Sequence, residues 1–146
     1  MTPQTHSPTS PSARRRPPLD PRLLLAVFTG GALGTLARAA LSEALPHDAT
    51  SWPWATFIVN LVGAFVLGYV IARLEDHERP TYQRPFFGTG LCGGLTTFST
   101  LQLELVRMAD AGAVALALAY ATASIAAGLT AVWLGTHLVR RARLTR

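Results

Sequence analysis

The chain has no lysine and a single cysteine, and only 14% of its 146 residues are charged. One cysteine, Cys92, set in an apolar run, excludes both a disulfide framework and a cysteine-based metal site. So little charge is foreign to a soluble domain, where about a quarter of residues are charged. The thirteen cations are all arginine and give a net charge of +5, yet they gather at the two ends and in one loop rather than in a stripe. That distribution argues against nucleic-acid binding, which needs a continuous basic track for phosphates. No glycine pair is followed by lysine, so a phosphate-cradling loop is missing too. The four histidines, His6, His47, His77 and His137, fall in tails or at segment ends without ligand spacing and read as solvated. No nucleophile stands beside a base, which argues against an enzyme.

What the chain has instead is apolar length. Hydrophobic residues make up 49% of it and its mean hydropathy is +0.29. Because about 20 helical residues cross the hydrocarbon of a bilayer, four stretches read as spans: roughly 23–45, 54–74, 86–108 and 112–139. The prediction is an all-α membrane protein with one channel-sized domain over 22–140. A Pro- and Arg-rich stretch, 1–21, is read as a disordered tail that is not cleaved, and 141–146 as a short basic tail. Gly30 and Gly34 in the first span form a GxxxG that permits close helix approach, and Trp52 and Trp54 flank Pro53 at an interface. The third stretch places Gly88, Gly90, Gly93 and Gly94 just before Thr96, Thr97, Phe98, Ser99 and Thr100, and so many helix-weak residues at mid-membrane predict a broken helix.

Several residues within the spans are open to two readings. The glycines serve either helix packing or a backbone break that offers carbonyls to an ion, and the four neighbouring hydroxyls favour the break. Asn60 is either interhelical glue or a pore donor. Arg38 is either a functional intramembrane cation or one that snorkels to the interface, and Glu104 shares that ambiguity. Tyr120 and Ser124, one turn apart, either satisfy local backbone or line a path. Phe98 would ordinarily face core or lipid.

The string GLCGGLTTFST over residues 90–100 resembles the Fluc/CrcB family of fluoride channels. The likeness extends through GALGTLAR at 31–38, NLVG at 60–63, Glu104, and Tyr120 with Ser124, and so covers all four spans. The resemblance implies an antiparallel dimer of four-helix subunits enclosing two fluoride pores, with a structural sodium ion at the dimer centre. Carried over by position, the sodium would sit on the main-chain oxygens of Gly93 and Thr96, and carbonyl oxygens suit a small hard cation. Phe98 would turn its positive ring edge to the anion. Asn60, Ser99, Thr100, Tyr120 and Ser124 would replace fluoride's water with donors, Arg38 would raise the anion potential at a vestibule, and Glu104 matches a further polar position. The implied role is passive fluoride export across the cell membrane, which lowers fluoride toxicity.

Two positions depart from the family pattern. Leu101 stands where a second phenylalanine is usual, and Gly128 ends the polar track of the fourth span, so the two pores of a homodimer need not conduct equally. Orientation points the same way. With the amino terminus inside, eleven of the thirteen arginines lie on the cytoplasmic side, Arg107 alone lies opposite, and Arg38 is within a span. Such a bias favours one insertion direction. The expected partner is therefore an oppositely oriented homologous subunit, with a dual-topology homodimer as the alternative. A proton-coupled drug exporter would need a carboxylate at mid-helix in the first span, where this chain has Arg38. A non-transporting assembly subunit is the third reading, and absence of ion flux would mark it.

Overall fold

In a computed structural model of the chain, residues 20–75 and 81–144 are described, and among them every regular element is helical. Helix α1 spans Pro21–Ala44 and α2 spans Trp54–Leu74. α3 is a π-helix over Arg84–Cys92 that runs on through one α-helical turn, Gly93–Leu95. Thr96 and Thr97 are then extended, α4 covers Phe98–Asp110, and α5 covers Val114–Leu144. Most of the stretch read as a Pro- and Arg-rich tail lies outside the described residues, but its last two members are structured. Asp20 caps α1 by accepting the Arg22 N–H at 2.9 Å, and Pro21 takes the first helical position, where its missing N–H costs nothing. The basic end differs from its expected form as well, since α5 continues through Arg141 and Arg143 to Leu144.

Three helices, α1, α2 and α5, are long and apolar enough to cross a membrane. The third hydrophobic stretch is divided between α3 and α4, and neither piece reaches the roughly 20 residues that a bilayer asks of one helix. The apolar side chains point outward: Phe28 is 73% exposed and Leu129 69%. An outward apolar surface of this extent belongs against lipid or another subunit.

Glycine sets the helix spacing in two places. A methyl group on Gly30 would strike the Phe86 carbonyl, and one on Gly94 would strike the Gly31 carbonyl, so α1 lies backbone to backbone on α3 and the turn after it. A methyl on Gly135 would meet the Phe65 carbonyl, and one on Gly68 the Val132 carbonyl at 2.5 Å, which brings α2 and α5 equally close. A small core of Met108, Ala117 and Tyr120 joins α4 to α5, with Trp52, Phe57 and Leu101 packed on it. Tyr82 donates to Asp20 Oδ2 at 2.9 Å and ties the approach to α3 to the start of α1.

Candidate functional site

The interruption at Thr96 and Thr97 is best understood by following its backbone groups, since each freed amide needs a partner. Were the helix continuous, the Thr97 N–H would bond to the Gly93 carbonyl. It goes instead to Asn60 Oδ1 on α2 at 2.7 Å, while Asn60 Nδ2 donates to the Thr97 carbonyl at 3.0 Å. The Thr97 N–H needs an acceptor, and that requirement fixes which way the amide points. Asn60 thus holds Thr97 from both sides and has one Nδ2 hydrogen left over. The Gly94 carbonyl, which a continuous helix would bond to Phe98, accepts from Arg38 Nε on α1 at 3.1 Å. A cation on the carbonyl end of a helical segment is favoured by the segment's dipole. Thr96 N and Thr96 Oγ1 both return to the Cys92 carbonyl, at 3.0 and 2.8 Å.

Downstream, Thr97 caps α4. Its Oγ1 accepts the Thr100 N–H at 3.2 Å and lies 2.9 Å from Thr100 Oγ1 and 3.3 Å from Ser99 Oγ. Hydroxyl side chains are favoured at such caps because they satisfy the first free N–H groups of a helix. Phe98, the first residue of α4, is 72% exposed.

A second polar group surrounds Glu104, which is only 4% exposed. Thr56 Oγ1 donates to its Oε1 at 2.6 Å and Tyr120 OH to its Oε2 at 2.8 Å. His47 Nε2 stands 3.6 Å from Oε1. His47 is an exposed loop residue, and its imidazole nonetheless reaches this carboxylate because the segment between α1 and α2 folds over α4. Trp52 anchors that segment with its ring edge-on to Tyr120, the centroids 5.2 Å apart. Among the described residues, two buried polar atoms, Ser124 Oγ and Trp52 Nε1, meet no partner within hydrogen-bond distance and angle, although Ser124 lies close to the Tyr120 hydroxyl. Orphans of this kind cost about 1–3 kcal/mol each unless a water or ligand takes them up.

The residues singled out in the sequence thus fall into two groups. Asn60, Ser99 and Thr100 gather at the interruption with Phe98 beside them, while Tyr120 joins Glu104, with Ser124 one turn along α5. Arg38 belongs to the far side of the interruption through Gly94. Leu101 is half-buried on the core, and a methyl on Gly128 would meet open space. Sequence reasoning missed Thr56, His47 and the cap role of Thr97. Thr56 sits one helical turn before Asn60, and Thr97-x-x-Thr100 resembles a helix cap, so two of the three carried a local signal.

For a main-chain cation site, the interruption supplies suitable atoms. The carbonyls of Gly93 and Thr96 accept no hydrogen bond from the described residues. Gly93 is exposed, with open space where a side chain would stand. Among the described residues no three His, Cys, Asp or Glu side chains converge.

The family model described as CrcB-like protein, Camphor Resistance (CrcB), matches residues 25–136. The chain is 57% identical over 128 residues to Fluoride-specific ion channel FluC 1 of Mycolicibacterium paratuberculosis, covering 87% of this chain and 97% of that protein. It is 45% identical over 128 residues to Fluoride-specific ion channel FluC 2 of Nocardia farcinica, covering 86% and 91%. With Fluoride-specific ion channel FluC of Bordetella bronchiseptica it shares 41% over 121 residues, covering 82% and 93%.

Proposed function

The chain belongs to the CrcB family, and from that premise we propose that it is a fluoride-selective channel of the cell membrane that lets fluoride leave the cytoplasm down its electrochemical gradient. The observation that carries this reading is the 57% identity to a protein named as a fluoride-specific ion channel over almost all of that protein's length. Hydrogen fluoride enters as a neutral weak acid and dissociates inside, which builds the outward gradient.

Fluoride holds water tightly, so a path must replace that shell with donors. The spare Nδ2 hydrogen of Asn60, the hydroxyls of Ser99 and Thr100, and the buried hydroxyl of Ser124 support such a path. Phe98, exposed beside them, has a positive ring edge to offer. Tyr120 and Glu104 form a second, buried polar group deeper along α4 and α5. Arg38 acts here by holding the Gly94 carbonyl and by contributing positive potential near the interruption.

The four-span subunit, with its third span broken at Thr96–Thr97, works as an antiparallel dimer. The main-chain oxygens of Gly93 and Thr96, which accept no hydrogen bond from the described residues, would hold a structural sodium ion in that dimer. When bound, that cation supplies a fixed charge tying the two interruptions together. The arginine bias favours one orientation and hence a separate, oppositely inserted homologue as partner. Equal cysteine labelling of both termini from both sides of intact cells would favour the dual-topology homodimer instead.

The functional test is fluoride efflux from proteoliposomes, read with a fluoride electrode against chloride as competitor. Fluoride flux without chloride flux is the expected result. Equal dissipation of both gradients, or of neither, would overturn the reading.

A further inference from the structure

Tyr69 and Arg73 stand one turn apart near the end of α2, so their side chains share one face and form a ridge. A cleft lies on each side of that ridge, and both clefts are lined by these same two residues. The first, of about 290 Å³, opens towards α5 and has Leu138, Val139 and Ala142 as its apolar wall. The second, of about 240 Å³, opens towards α3 and is walled by Val66, Val70, Leu74 and Phe87. Arg143 closes the head of the first cleft, with its Nη2 donating to the Ala72 carbonyl at 2.6 Å and reaching that of Arg73 at 3.5 Å. The result is an exposed guanidinium at the edge of a membrane-crossing helix with a cleft running away on either side, the one towards α5 polar at its arginine head and apolar along Leu138, Val139 and Ala142, the one towards α3 apolar apart from Gln83.

We propose that this ridge binds an anionic diacyl phospholipid, its phosphate on the Arg73 guanidinium and one acyl chain in each cleft. The planar fork of arginine matches two phosphate oxygens. A tyrosine one turn deeper suits the headgroup boundary, where amphipathic rings collect. Two clefts with apolar walls that meet at the Arg73 head match a headgroup with two tails, whereas a free phosphate could use only the cations. Arg143, beside Arg73, disfavours a headgroup carrying its own positive charge and so selects an anionic one. Basic pockets between membrane helices recognise acidic lipids by the same chemistry. The inference rests on the membrane placement of α2 and α5 and is independent of the ion conducted.

The full chain, purified in a neutral maltoside detergent, provides the test through native mass spectrometry and thermal unfolding. Phosphatidylglycerol, phosphatidylcholine and inorganic phosphate are added in separate arms. One phosphatidylglycerol retained per subunit is expected, with the unfolding midpoint raised by roughly 4 °C, the size of effect a saturating ligand produces. R73Q should weaken retention about tenfold, as loss of a bidentate phosphate contact does, while R107Q, at the other end of the bundle, should leave it intact. If R73Q does not fold, R73K serves, because it keeps the charge and loses the fork, and retention should still fall several-fold. Equal retention of phosphatidylcholine, an undiminished signal in both Arg73 variants, or full stabilisation by inorganic phosphate alone would each overturn the proposal. So would loss of the dimer in R73Q without any lipid retained by the wild type, which would make the ridge a contact between copies.

Discussion

Replacing Asn60 with alanine tests whether this side chain holds the interruption or only lines a path. The substitution removes the 2.7 Å bond from the Thr97 N–H and the 3.0 Å bond to the Thr97 carbonyl. Each such bond contributes about 1 kcal/mol net, and a buried group left unpaired costs about 1–3 kcal/mol more. Asn60 and Thr97 are half-buried, so water recovers part of that second cost, and a loss of roughly 2–3 kcal/mol follows. In a chain of this size that lowers the unfolding midpoint by roughly 6–10 °C. Fluoride efflux should fall with it, because the freed Thr97 N–H can return to the Gly93 carbonyl and straighten the segment. N60D separates the two roles: it keeps an acceptor for the Thr97 N–H but turns a carboxylate oxygen on the Thr97 carbonyl, so it should lose stability and flux as well. The assays are a thermal scan in detergent and electrode-measured efflux from proteoliposomes. An N60A protein that loses flux but keeps its midpoint would refute the clamp and leave Asn60 as a pore donor alone.

Other substitutions follow from the same geometry. F98I should abolish most fluoride efflux while remaining folded by gel filtration, whereas L101A should act through stability, since Leu101 packs on the Met108–Tyr120 core. G135A should cost about 1–3 kcal/mol by overpacking against the α2 backbone, and G128A should be neutral or stabilising by up to about 1 kcal/mol, both read as shifts in the unfolding midpoint. The Arg22 N–H and the Tyr82 hydroxyl hold the Asp20 carboxyl below the usual carboxylate range. Its contribution is therefore complete above that range and lost as pH falls through it, so the stability gap between wild type and D20A should be full at neutral pH and narrow below about pH 4. Replacing sodium by a large organic cation during purification should reduce dimer stability in gel filtration, and an unchanged dimer after exhaustive exchange would count against the Gly93 and Thr96 site.

The sequence features at Thr96 and Thr97 act locally. Glycine lacks a Cβ and populates helix poorly, and Thr-x-x-Thr offers a hydroxyl to cap whatever begins next, so GGLTTFST announces both an ending and a start. Hydropathy places α1 and α2 to within a few residues, whereas the third apolar stretch is divided between α3 and α4, and α5 runs on into the arginines, where polarity ends a span but not a helix. Partners across the fold are another matter. Nothing in the sequence pairs Asn60 with Thr97 or Arg38 with Gly94, which lie 37 and 56 residues apart. Those bonds exist because glycines on α1, α3 and the turn after it let backbones meet, because Gly63 on α2 leaves room for Thr96 one turn from Asn60, and because an interrupted helix must send its freed amides and carbonyls somewhere. The contact of exposed His47 with Glu104 shows the same limit, since nothing in the loop's sequence announces that Trp52 packs on Tyr120 and folds the loop over Glu104. Composition and periodicity determine which segments enter a membrane and where they weaken. Only the packed helices decide which polar groups find one another, because that choice depends on interhelical distances no single segment encodes.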